Sequence, residues 1–218
     1  MSAVPAALDY LGKASDRAAR LSIWHLRSFV VGVQIAGQGQ KPYAQRELAV
    51  YDAFTEHIQR KYGDPRSQYE PVWTRAATPR ESVDLYLSEW APFRAKQPAS
   101  TPPKPAGQGT VQALDVHQQL FQIEQKPHFY VLSADITHLK ALVEGISFVA
   151  EHLAHQPTNP DFPAFEQWLR SERSPGAACS WDMLITLNCG GDITAAFRRF
   201  FDELRRFEAR NQQHKRPS

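Results

Sequence analysis

Two stretches of this chain, IWHLRSFVVG at residues 23 to 32 and ITHLKALVEG at residues 136 to 145, carry Ile, His, Leu, Val and Gly in the same register. A match of ten residues arises by chance in a chain this long, so what counts is whether the agreement continues outward. Ser22 and Asp135 stand directly before the two stretches, and both side chains accept hydrogen bonds from the free N–H groups of a helix's first turn. Ile23, Leu26, Val30 and Val33 then follow at helical spacing, as do Ile136, Leu139, Val143 and Ile146. Two helices with one apolar stripe each are expected. Gly32 and Gly145 fall inside them, where glycine costs about 1 kcal/mol relative to alanine; a close helix crossing is the expected compensation.

The correspondence runs further. Tyr51, Phe54 and Ile58 answer to Phe162, Phe165 and Leu169, and Trp73 and Trp181 each follow a short loop beyond that helix. Thr78, Pro79 and Glu81 have the types expected at an N-cap, first helical position and capping box; the counterpart start is Asp192. From those caps, Val83, Tyr86, Leu87, Trp90 and Phe93 answer to Phe197, Phe200, Phe201, Leu204 and Phe207. The expected fold is mostly α: two tandem, diverged helical repeats of three to four helices each, spanning residues 23 to 93 and 136 to 207, packed about a pseudo-twofold axis. Residues 1–93 hold the first repeat, 94–110 a Pro-rich linker or loop, 111–210 the second repeat, and 211–218 a polar tail. Strands are conceivable at 128–132 and 183–188; for the second, Trp181, Leu184 and Ile185 equally fit a short helix ended by Gly190.

With 218 residues, 42% hydrophobic and 22% charged, the chain has a globular composition. No apolar run reaches the roughly 20 residues that cross a bilayer, and the N-terminus lacks a basic start followed by an apolar core, so no membrane partner and a cytoplasmic location are expected. Cys179 and Cys189 form no C-x-x-C and read as ordinary thiols. A net charge of +2 falls short of a dedicated nucleic-acid binder's, and no nucleic-acid partner is expected.

Catalytic and metal signatures are weak. His25 and His138 occupy equivalent places in the first turn of a helix, where a histidine packs or bonds locally. His152 and His155 beside Glu151 lack a third ligand at a diagnostic spacing, so no metal or other cofactor is expected. There is no G-x-S-x-G, no P-loop, and AGQGQ at residues 36 to 40 lacks the lysine and strand of a nucleotide site. No catalytic residues are assigned. The last helix carries Arg198, Arg199, Arg205, Arg206 and Arg210; Arg199 with Glu203 and Asp202 with Arg206 are spaced for i,i+4 pairs. Trp24, Trp90 and Trp168 exceed what the stripes need, and tryptophan and arginine are enriched at interface hot spots. Trp24, Trp168, Arg199 and Arg206 are the candidate partner-binding residues; Trp90 also fits the core.

Residues 125 to 207 carry Lys126, Pro127 and Tyr130; Leu139, Val143 and Gly145; Phe165, Trp168 and Leu169; Ser180 and Trp181; and Phe197, Phe200, Phe201, Leu204 and Phe207. This K/R-P-x-x-Y, L-x-x-h-h-x-G, F-x-x-W-L, S-W and F-F-x-x-L-x-x-F pattern resembles a family of small bacterial immunity proteins. The first repeat shows only its helical skeleton. The resemblance implies a non-enzymatic protein that binds and neutralises a cognate toxin domain. An enzyme with a site between the repeats, built on His25, His138 or nearby carboxylates, is the alternative, and it predicts an internal pocket and a perturbed histidine; a general protein-binding adaptor is another.

Overall fold

The computed structural model describes residues 3–13, 22–37, 44–97, 114–173 and 179–214. The chain is mostly helical. The first half contributes α1 (Ala3–Lys13), α2 (Ile23–Gly37), α3 (Ala44–Tyr62), the short α4 (Glu70–Trp73) and α5 (Pro79–Ala95). The second contributes α6 (His117–Gln125), α7 (Ile136–Phe148), α8 (Phe162–Arg173), α9 (Trp181–Asn188) and α10 (Ile193–His214). Strand structure among the described residues is confined to a parallel pairing of β1 (Leu114–Asp115) with β2 (Thr158–Asn159).

The caps form as their residue types demand. Thr78 is extended and accepts from the Glu81 N–H at 3.1 Å, while Glu81 reaches back to the Ala77 N–H at 2.8 Å. Asp135 accepts from the Thr137 N–H at 2.7 Å, and Asp192 from those of Thr194 and Ala195 at 2.9 Å each. Helix α9 ends on left-handed Gly190 (φ 65°), with the Gly191 N–H reaching the Thr186 carbonyl at 2.9 Å. The strands conceivable at 128–132 and 183–188 do not form: Pro127–Phe129 is a 3₁₀ turn, and 183–188 lies within α9. The helix wins at 183–188 because Trp181, Leu184 and Ile185 bury one helical face.

Every member of the two central stripes, from Ile23 to Val33 and from Ile136 to Ile146, is buried, as are Phe54, Ile58, Phe165 and Leu169. Trp90 belongs to this core, and its Nε1–H donates to Asp9 of α1 at 2.8 Å. Helices α2 and α7 form the most extensive contact between elements. A Cβ at Gly32 would lie 1.9 Å from the Leu142 carbonyl oxygen, and one at Gly145 would lie 2.1 Å from that of Phe29. The glycines therefore let each backbone enter the space that a side chain would fill on the other. Helix α1 packs on α2, α3 and α5, and its Tyr10 ring meets Phe148 and His152 at 5.1 and 5.2 Å between centroids.

The expected linker at 94–110 lies mostly outside the described residues; 94 and 95 complete α5. Of the expected polar tail, 211–214 continue α10. Beyond α7 the backbone widens into a π-helical turn, Val149–Ala154, ended by left-handed His155 (φ 51°), so His152 and His155 do not share a regular helical face. Among the described residues no helix is long and apolar enough to cross a membrane.

Candidate functional site

Trp168 and Glu172 of α8, with Arg206 and Arg210 of α10, line a surface depression of about 250 Å³. Trp168 stands at the edge of the α8 stripe, its indole held against Phe165 (6.0 Å) and Phe207 (5.8 Å). Its Nε1–H is buried without an acceptor among the described residues. Arg210 donates to Glu172 at 2.6 Å. Arg206 lies 3.5 Å from Glu203, a buried carboxylate that also receives Arg199 through Nε at 2.8 Å and Nη2 at 2.7 Å. The depression thus sets an aromatic wall beside two guanidinium groups, each already on a carboxylate, Arg206 on Glu203 and Arg210 on Glu172, which makes it a mixed-charge contact surface.

Two of the four expected contact residues, Trp168 and Arg206, thus meet in one depression. Arg199 lies along the same helix with its guanidinium on Glu203. Trp24 is half-buried on α2 against Trp73 (6.2 Å) and does not line the depression. The i,i+4 pair expected between Asp202 and Arg206 does not form. Buried Glu203 needs the counter-charge more than exposed Asp202 does, and Asp202 pairs with Arg205 at 2.8 Å, which also grips Glu124 of α6 at 2.9 Å. Glu172, which no pattern marked, and Arg210, named only among the arginines of the last helix, complete the site, because α8 and α10 are brought together only by the fold.

A second depression, of about 410 Å³, involves His57 and Lys61 of α3 with Glu89, Phe93 and, beyond α5, Lys96. Glu89 Oε1 accepts from Lys61 at 2.5 Å and from the Tyr62 hydroxyl at 3.0 Å, and His57 Nε2 lies 3.6 Å from the other carboxylate oxygen. Burial pushes the Glu89 carboxyl up, but the bonds from Lys61 and Tyr62 and the Lys61 charge outweigh it and hold its pKa low. The Tyr62 phenol is pushed up to about 12, by burial first and then by its bond to Glu89.

His25 and His138 meet edge to face where α2 and α7 begin, their ring centroids 4.7 Å apart. Thr137 Oγ1 donates to Asp135 at 2.7 Å, so the 3.0 Å contact from His25 Nε2 makes that nitrogen the donor to Thr137. His25 Nδ1 then accepts from the Ser22 hydroxyl at 2.8 Å and from the Ser22 N–H at 3.3 Å. The His25 N–H points back to Ser22 Oγ at 3.4 Å. This reciprocal exchange is a capping box with histidine in the place of glutamate. The His25 pKa is lowered by burial first and then by His138, against the opposing pull of Asp135. The His138 pKa is lowered by burial, with Asp135 raising it and the Arg27 charge lowering it. The perturbed titration expected of an inter-repeat site is present, yet neither depression reaches the pair. Among the described residues no group of three or more His, Cys, Asp or Glu is placed to hold a metal ion.

Comparison with protein-family models, with curated proteins and with solved structures gives no match.

Proposed function

We propose that this chain is a non-enzymatic, cytoplasmic immunity protein that neutralises a cognate bacterial toxin domain by binding it. We further propose that residues 23 to 93 and 136 to 207 are tandem, diverged repeats packed about a pseudo-twofold axis. The binding part of this reading rests on the sequence resemblance and on Trp168 and Arg206 lining one depression, and the repeat part is carried by the relation between the two depressions. In the register that aligns Ile58 with Leu169 and Phe93 with Phe207, the lining residues His57, Lys61, Pro92 and Lys96 answer to Trp168, Glu172, Arg206 and Arg210. The paired carboxylates Glu89 and Glu203 also correspond. The reciprocal approach of Gly32 to Leu142 and Gly145 to Phe29 follows the register of the ten-residue match.

Both depressions set aromatic surface beside cations, so the partner's matching face is acidic. A standard interface buries about 1,600 Å² in total, spanning far more than one depression, and its energy concentrates on a few aromatic and arginine anchors. Trp168 and Arg206 are assigned that role.

The test is co-expression with the product of the neighbouring gene, scoring survival and co-purification together. Rescue with a stable complex is expected. Arg210→Glu, at an exposed ion pair, should weaken the complex by about 30-fold or more while leaving the thermal midpoint in place, and Arg206→Ala, which leaves Glu203 its bonds from Arg199, should weaken it by about 30-fold with the thermal midpoint measured alongside. Trp168→Ala should weaken it comparably, though its ring contacts make a stability control necessary. Rescue without a complex would replace binding by enzymatic reversal of the damage, and absence of both would reject the immunity role.

A further inference from the structure

The depression lined by His57 and Lys61 of α3 and by Glu89, Phe93 and Lys96 measures about 410 Å³, room for a small molecule rather than a single ion. Phe93 gives it a fixed apolar wall: the ring lies 5.2 Å from that of Phe54 and 5.4 Å from that of His57, between centroids. Glu89 is committed, with Oε1 accepting from Lys61 and from Tyr62. An ammonium carries three donors, so Lys61 keeps two for another acceptor. Lys96 is exposed and has no hydrogen bond or ion pair among the described residues.

In the register that aligns the two halves, Lys61 and Lys96 answer to Glu172 and Arg210, which form an ion pair at 2.6 Å in the other depression. Two lysines thus line one cavity at the places where the second half sets an acid against a base. Nearby sequence supplies no substitute. Within four residues of either lysine the one acid is Asp64, which bonds Arg66, and residues 98 to 113 contain no Asp or Glu.

We propose that this depression binds a small aromatic carboxylate, its ring against Phe93 and its carboxylate shared by the Lys61 and Lys96 ammonium groups. The ligand supplies the negative charge that Glu172 provides for Arg210. The site rests on the register of the proposed repeats and needs no toxin partner, so it stands even where co-expression gives neither rescue nor complex.

The experiment titrates the whole protein with phenylacetate at constant pH and ionic strength, following the Phe93 ring and the His57 imidazole by NMR. Both should shift saturably, with a Kd on the order of millimolar, as suits a probe of about ten heavy atoms. Acetate, which lacks the ring, and benzyl alcohol, which lacks the charge, should each bind about tenfold more weakly or worse. Lys96→Glu, a change at an exposed position that gives Lys61 an internal counter-charge, should abolish the response while the thermal midpoint holds. The Trp168 indole, beside arginines that are already paired, should not respond. Absence of saturation in the wild-type protein, an undiminished response of Lys96→Glu, or equal shifts at Trp168 and Phe93 would each overturn the proposal.

Discussion

A single methyl group added to α2 at Gly32 would have to occupy the position of a backbone oxygen on α7, which no side-chain rotation can relieve. Gly32→Ala and Gly145→Ala should each destabilise the protein by roughly 3 kcal/mol or more, at the upper end of overpacking costs. Gly12→Ala in α1 has nothing within 4 Å of its new Cβ and should stabilise by about 0.5–1 kcal/mol. Urea midpoints of the three variants check this, and equal effects at Gly12 and Gly32 would contradict the crossing. A second test at this scale concerns the buried tyrosines. Gln68 Oε1 accepts from Tyr86 at 2.7 Å and Thr55 at 3.0 Å, while Gln68 Nε2 donates to Tyr51 at 2.9 Å and the Tyr51 and Tyr69 hydroxyls lie 2.6 Å apart. Tyr86→Phe removes one donor but leaves Gln68 Oε1 its bond from Thr55, so a cost of about 1 kcal/mol is expected in the same assay. The glycines and caps were legible because each is a local conflict with helix propensity or a local remedy for it. The orphaned donor of Trp168 was not, since whether a donor finds an acceptor depends on neighbours distant in sequence.

At the level of elements, two histidine groupings pull stability in opposite directions with pH. His25 and His138 titrate below the ordinary 6.5 when folded, so the unfolded chain takes up their protons first, and stability is lost as pH falls below 6.5. His117, at the start of α6, bonds Asp115 at 2.9 Å and Glu208 of α10. Burial lowers its pKa, but the bonds to Asp115 and Glu208 outweigh it and raise the value above 6.5. Its contribution is therefore complete below 6.5 and disappears as pH rises through its folded value. His117→Gln should match the wild type at high pH and fall below it near pH 6, making acid loss steeper. Denaturation midpoints from pH 5 to 9 would show this; parallel profiles for the two proteins would refute the clasp. Helices α2, α3, α5, α7, α8 and α10 were readable from period and caps. Helix α1 has the period in Val4, Leu8 and Leu11 and a residue of cap type, Ser2, directly before it in the sequence, but it has no counterpart within residues 136 to 207 and so fell outside the reading built on the duplication. The π turn after α7 was unreadable because a shift in backbone hydrogen bonding leaves the residue pattern unchanged.

For the molecule as a whole, the proposed docking of an acidic partner on the two depressions, each lined by two cations against one carboxylate, predicts that association weakens as salt rises. A drop in the association rate between 50 and 300 mM salt, larger than the change in dissociation rate, is the expected signature in a surface-binding assay. Salt-independent association would argue that neither depression is the docking site. Helix faces told which residues would be inside, and Trp168 and Arg206 were singled out by type. Their meeting with Glu172 and Arg210 required the packing of α8 on α10. The crossing of α2 and α7 also constrains where such a chain came from. On the duplication proposed above, a one-copy ancestor would have presented a glycine-notched helix with nothing of its own to fill the notch, and could have closed its core only against a second identical molecule. Duplication would then have fixed a former homodimer within one polypeptide, after which the two sides were free to diverge: a fragment beginning at residue 114 should run as a dimer or not fold, and a stable monomer would rule this history out.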